Sequence, residues 1–310
     1  KYNSFLKNLN INVSKEIAII IPHKGLGDII FHHSFIMSIH KKYNKKIVLF
    51  ANKSTQANLV YKKNKYIKKI VIIDLKRPNY FFYLIKMVKI FLQLYNYKFH
   101  SIYYTGNSKW HKIVFKLLAL INNFKFHNLK TKKRYIIKSL TSFLKSHGIK
   151  DLLDFNLNIP IDVAPKFIKT LNKFKKPWIF LSIDTSEDQI QIPKDFLINV
   201  IFKLKIKYGS IFINTNIKNK NKTVFLKHDK IIKTSKYNIV ELNYIIKKSK
   251  FFIGNESGPA ILAILLRKKS LIFLNKNVIP ESMMMPNSKL RKYFQVSKLK
   301  HNLKYFLNIL

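Results

Sequence analysis

The stretch Ile17-Ala18-Ile19-Ile20-Ile21-Pro22-His23-Lys24-Gly25-Leu26-Gly27-Asp28-Ile29-Ile30 decides the fold. Its first five residues form an uninterrupted apolar run dominated by β-branched isoleucine, the pattern of a parallel strand buried on both faces. Two glycines follow at once, and Asp28 opens a helical stretch that extends to about Tyr43. Strand, glycine loop and helix in that order begin a βαβ unit.

The same rhythm continues outward. Apolar runs at residues 47–50, 70–73 and 100–104 read as further strands, separated by helical or mixed segments. Residues 156–177 carry Pro160, Pro165 and Pro177 and read as a linker around a short helix. A second series then begins, with strands expected at 178–183, 211–214, 230–233, 251–253 and 270–274. Helices are expected at 193–208, 240–248 and 257–266, and the tail at 288–310 is basic and amphipathic. The expectation is an α/β chain of two Rossmann-like domains, residues 1–165 and 166–310, with parallel sheets facing a cleft.

Composition sets limits on function. The chain has 310 residues, a formal net charge of +45 and no cysteine, so disulfides and cysteine-based zinc sites are excluded. The charge suggests a polyanion partner, but only Arg77, Arg134, Arg267 and Arg291 are arginine; the other basic residues are lysine. Arginine is the residue suited to bidentate phosphate and base contacts, so general attraction to anionic surfaces fits better than specific nucleic-acid recognition. Residues 1–12 lack the apolar core of a secretory signal, and no run of ~18 uncharged apolar residues occurs. A cytoplasmic protein is expected, peripheral at the inner face of the membrane. The segment 80–97, aromatic and interrupted by Lys86 and Lys89, reads either as a helix lying in a membrane interface or as one packed on a sheet.

Two loops carry chemistry. His23, Lys24, Gly25 and Gly27 form the first, and Gly254-Asn255-Glu256-Ser257-Gly258-Pro259 the second. In a parallel α/β sheet both sit at strand carboxyl ends, where a helix start presents N–H groups to an anion. Asp28 has two readings, a helix cap or a general base that deprotonates a sugar hydroxyl. His32 and His33 are adjacent, diverge by ~100° on a helix and are expected at the surface, whereas His23 lies where a substrate can be contacted. No HExxH or DxD pattern appears, and neither a metal nor a cofactor is expected.

With these residues in view, 19–36 resembles the amino-terminal motif of glycosyltransferase family 9, the ADP-heptose:lipopolysaccharide heptosyltransferases and their relatives. Residues 252–259 resemble the family's second motif, GNDSGPxHLA. The resemblance implies a GT-B fold, an acceptor in the first domain, an ADP-linked sugar in the second, and a last helix (near 303–310) packed back on the first. It implies an inverting, metal-independent transfer of a heptose-like sugar to a glycolipid of the lipopolysaccharide type. Asp28 then matches the catalytic aspartate. Thr185, Ser186, Asn255, Glu256, Ser257, Gly258 and Pro259 match donor-binding positions. The chain departs from the family at Glu256 (aspartate there), at Ile261 (histidine there) and at Gln189 to Gln191, where a lysine is expected. Two other readings stay open: a non-catalytic relative that binds nucleotide or glycan, and a basic nucleic-acid-binding protein.

Overall fold

The structure, a computed structural model, describes residues 16–73, 80–95, 99–130, 136–152, 157, 159–183, 192–215, 228–274, 290–298, 304–305 and 308. In chain order the first half holds β1 (Glu16–Ile21), α1 (Leu26–Phe31), α2 (His33–Tyr43), β2 (Ile47–Asn52), α3 (Ala57–Val60), β3 (Ile67–Ile73), α4 (Tyr80–Tyr95), β4 (Phe99–Tyr104), α5 (Lys109–Ile121), β5 (Lys125–Asn128) and α6 (Ile136–Ser146). The second holds α7 (Pro165–Leu171), β6 (Trp178–Ser182), α8 (Lys194–Lys207), β7 (Ser210–Asn214), β8 (Ile231–Lys233), α9 (Ile239–Lys248), β9 (Phe251–Asn255), α10 (Gly258–Leu265), β10 (Ser270–Leu274) and β11 (Arg291–Gln295). The boundary expected between residues 165 and 166 falls in the first turn of α7.

Both sheets are parallel throughout. The first has strand order β3-β2-β1-β4-β5 and the second β11-β10-β9-β6-β7-β8. Each is a Rossmann order, in which the chain leaves the first strand to one side and returns to the other. The apolar run of β1 is buried on both faces because helices cover both. Ile17, Ile19 and Ile21 join one core cluster, while Ala18 and Ile20 join another with Met87, Ile90 and Leu94 of α4 and Phe115 and Leu118 of α5. On the second sheet Ile179 and Leu181 pack under α8, while Phe180 and Phe252 stack at 5.9 Å on the opposite face.

Three expectations need correction. The helix from Asp28 to Tyr43 is two helices, because the side chain of His32 takes up the carbonyl of Asp28. His32 Nδ1 lies 2.6 Å from that oxygen, and the His32 backbone N–H is left at 3.3 Å. A side-chain donor entering the helical ladder in this way breaks the run. His32 and His33 are buried, not at the surface. The tail is not simply amphipathic: residues 291–295 form β11, paired with β10 from Ser270↔Arg291 to Leu274↔Gln295. Of residues 303–310 only 304, 305 and 308 are described.

Candidate functional site

Each glycine loop leaves the carboxyl end of a strand at a point where strand order reverses, the position at which open α/β sheets bind ligands. The first follows β1, whose neighbours are β2 and β4; the second follows β9, whose neighbours are β10 and β6.

In the first loop Gly25 is the residue before α1, with extended backbone (φ −82°, ψ 143°). Its N–H donates to Asp28 Oδ2 at 2.9 Å, so the aspartate does cap the helix. Asp28 is half-buried, between buried Gly27 and Ile29. Neighbouring strands fix the loop from both sides. His23 Nε2–H donates to the carbonyl of Thr105 beyond β4 at 2.9 Å. The Ser54 hydroxyl, after β2, donates to the carbonyl of Lys24 at 2.8 Å. Lys24 is exposed.

His32 lies beneath this loop, its ring 5.5 Å from that of His23. Because Nδ1 donates to a carbonyl, the neutral ring carries its proton there and Nε2 is an acceptor. Complete burial, then the charge of His23, pull its pKa down to about 3, against a smaller opposing effect of the bond to Asp28. A folded pKa below the unfolded value means that the unfolded chain binds the extra proton first. His32 therefore stabilises the fold fully above the unfolded value of 6.5 and loses that contribution as pH falls toward 3. Between about pH 7 and about pH 5 the loss is ~2 kcal/mol. Replacing His32 by glutamine, whose amide can still donate to Asp28, is expected to flatten the acid limb. Urea titrations across this range should show the parent's stability falling faster with acid than the variant's, by ~1 kcal/mol per pH unit on average. Parallel acid limbs would show that His32 takes up its proton in the folded state.

The second loop is tied down in a similar way. Asn255 Nδ2 donates to the carbonyl of Ile183 at 2.7 Å, bridging the ends of β9 and β6. The Ser257 hydroxyl donates to the carbonyl of Asn255 at 3.0 Å and lies 3.4 Å from the hydroxyl of Ser182. Glu256 N–H donates to the carbonyl of Phe273 at 3.0 Å. Ser257 precedes α10, whose first turn contains Gly258 and Pro259. Thr185 and Ser186 lie outside the described residues.

The two loops come together through their helices. A Cβ on Gly27 would lie 2.5 Å from Cδ1 of Ile261, and one on Gly258 would lie 3.0 Å from Cβ of Leu26. Ile261, where family 9 has histidine, is thus a packing residue between α10 and α1. Gln56 Oε1 accepts the N–H of Ile239 at 2.8 Å, and Asn243 Nδ2 donates to the carbonyl of Ile159 at 3.2 Å, which adds two polar ties alongside. No pattern in the sequence marks His32, Ser54 or Thr105 as supports of the first loop. Each acts through a backbone carbonyl that only the folded sheet brings near. Among the described residues no group of three His, Asp or Glu side chains gathers as metal ligands.

Two Rossmann-like domains with carboxyl strand ends facing a shared cleft constitute the GT-B fold. The chain shares this fold with the glycosyl transferase family 9 structure from Veillonella parvula DSM 2008, at a TM-score of 0.69 and 14% identity over 91% of this chain and 87% of that one. It is also similar to E. coli heptosyltransferase WaaC with ADP, at 0.65 and 12% over 95% and 99% of the two chains. The UDP-GlcNAc 2-epimerase from Methanocaldococcus jannaschii gives 0.60 and 14% over 94% and 93%. No protein-family sequence profile matches the chain, and no curated protein matches it by sequence.

Proposed function

We propose that the protein is a glycosyltransferase of the family 9 type, moving a heptose-like sugar from a nucleotide-diphosphate donor to a glycolipid acceptor with inversion. The observation that carries this reading is the meeting of the two loops. Asp28 lies in the first turn of one helix, the start of α10 presents N–H groups from the other half, and Gly27 and Ile261 put the two in contact. The shared fold supports it: one similar structure is a heptosyltransferase with ADP. The fold alone also carries an epimerase, so the assignment leans on the Asp28 loop and not on architecture.

In this reading Asp28 takes the proton from the acceptor hydroxyl as that oxygen bonds to the anomeric carbon. The bond from that carbon to the diphosphate oxygen breaks, and the electron pair leaves with the nucleotide diphosphate. The N–H groups at the start of α10, with Glu256, Ser257, Gly258 and Pro259 around them, receive the departing charge. Asn255 holds the loop to β6, and Thr185 and Ser186 supply hydroxyls to the phosphates. His23, Lys24 and Gly25 border the acceptor, with the Gly25 N–H already engaged by Asp28. No metal and no cofactor enters, and the donor is ADP-linked.

The test combines calorimetry with turnover. ADP is expected to bind more tightly than UDP, and ADP-heptose with a lipid-A-core acceptor is expected to give a glycosylated product of inverted configuration. Ile261, apolar and buried against Gly27, favours one rival, a relative that binds donor without transferring it. Donor binding with no product from any acceptor would establish that rival. Absence of nucleotide binding would remove both readings.

A further inference from the structure

We propose that the outer faces of α4 and α5 form one docking surface for an anionic lipid bilayer. The two helices pack on each other and cover the same face of the first sheet. Each has an inward apolar stripe, already satisfied by the core, and a second apolar stripe facing away. On α4 the outward residues are Ile85, Val88, Leu92 and Tyr95, all exposed. At 100° per residue they fall within about 80° of the helix circumference. On α5 they are Trp110, Ile113, Leu117, Leu120 and Ile121, within about 100°. Leu120 is 74% exposed. Isolated exposed aliphatics are ordinary, but two adjoining stripes make a contiguous patch of the kind that marks an interaction site.

The charge around the patch selects the occupant. Lys89 on α4 and Lys109 and Lys116 on α5 are exposed beside the stripes, and residues 80–95 and 109–121 contain no aspartate or glutamate. Apolar side chains ringed by cations, with Trp110 and Tyr95 among them, match the layered chemistry of an anionic membrane surface: acyl chains within, phosphates above. The helices lie on such a surface and do not cross it. At 16 residues α4 is about 24 Å long, short of a ~30 Å hydrocarbon core, and among the described residues no helix is long and apolar enough to span a membrane. Within segment 80–97, residues 85–95 place Met87, Ile90 and Leu94 on the sheet and Ile85, Val88, Leu92 and Tyr95 outward, so the sheet-packed reading and the proposed interfacial one use different faces, and α5 supplies the larger share of the platform.

The proposal does not rest on the transferase reading, and sedimentation with vesicles tests it without any substrate. The intact protein is expected to bind vesicles of phosphatidylcholine with phosphatidylglycerol, and phosphatidylcholine alone much more weakly. Ile113→Ser with Leu120→Ser, both at exposed sites, is expected to weaken binding roughly 30-fold with an unchanged melting temperature. Phe202→Ser on α8, an exposed apolar residue elsewhere, serves as the control and is expected to bind as the parent does. The chain provides its own reporter. Of its two tryptophans Trp178 is 3% exposed and Trp110 is 47% exposed, so a blue shift on vesicle addition belongs to Trp110 and is expected to vanish in Trp110→Phe. Vesicle binding that survives the double substitution would mean that lysine charge alone suffices, and would overturn the proposal. So would an equal loss in Phe202→Ser, or a double substitution that abolishes self-association in place of vesicle binding.

Discussion

Asp28→Asn is expected to lower the turnover of sugar transfer by roughly three orders of magnitude while leaving the fold and donor affinity intact. The two jobs of Asp28 make this substitution informative. Its Oδ2 accepts the Gly25 N–H at 2.9 Å and so begins α1. An asparagine carbonyl can accept the same bond, so the cap survives to within about 0.5 kcal/mol. What asparagine lacks is a basic oxygen for the acceptor proton. Asp28→Ala removes both functions, and is expected to lose turnover to the same degree and ~1 kcal/mol of stability in addition. Measuring kcat, thermal unfolding and nucleotide binding on all three proteins separates the roles. The nucleotide isotherm should not move, because the phosphates are assigned to the α10 side of the cleft. His23 is the neighbouring alternative, but its Nε2–H is committed to the carbonyl of Thr105. If Asp28→Asn transferred sugar at the parent rate while His23→Ala did not, the base would be the histidine.

Much of the architecture was legible because parallel strands buried on both faces write themselves as unbroken apolar runs. Residues 17–21, 178–181 and 271–274 are such runs, and all lie in strands with buried positions throughout or nearly so. The edges were harder. β5, Lys-Phe-His-Asn, and β11, Arg-Lys-Tyr-Phe-Gln, are half-solvated outer strands with lysine in them, and in a chain this rich in lysine they look like any linker. α5 was not assigned from the sequence, although its apolar and charged residues separate around a helix, with Lys109, Lys112 and Lys116 on one side. At the site, both glycine loops were visible from their residues. The burial of His32 was not, since a histidine pair on a helix carries no mark of which side the first loop will cover. The contact between Ile261 and Gly27 was also out of reach, because it joins residues far apart in sequence. Ile261 stood out only as a departure from a family pattern. In the folded chain it is the residue that seats α10 against α1.

Gly254→Ala is expected to destabilise the protein by about 3 kcal/mol, lowering the melting transition by roughly 6–9 °C, with no ligand present. A glycine in a loop of this kind is ordinarily read as leaving room for a phosphate. The geometry gives a prior reason. Gly254 pairs with Ser182 across β9 and β6, and a Cβ there would lie 2.4 Å from the Ser182 carbonyl oxygen and 2.9 Å from its Cβ. The first of these is backbone, so relief requires the two central strands to separate at the point where the sheet changes direction. Gly27 differs: the atom its Cβ would meet first is the Cδ1 end of a side chain, which can turn aside. The two explanations of Gly254 part company in the unliganded protein. If it were glycine only to admit a phosphate, Gly254→Ala would melt with the parent and lose nucleotide affinity alone. If strand spacing is the cause, stability falls first, and nucleotide affinity falls with it because Asn255, one residue on, anchors the same loop to Ile183.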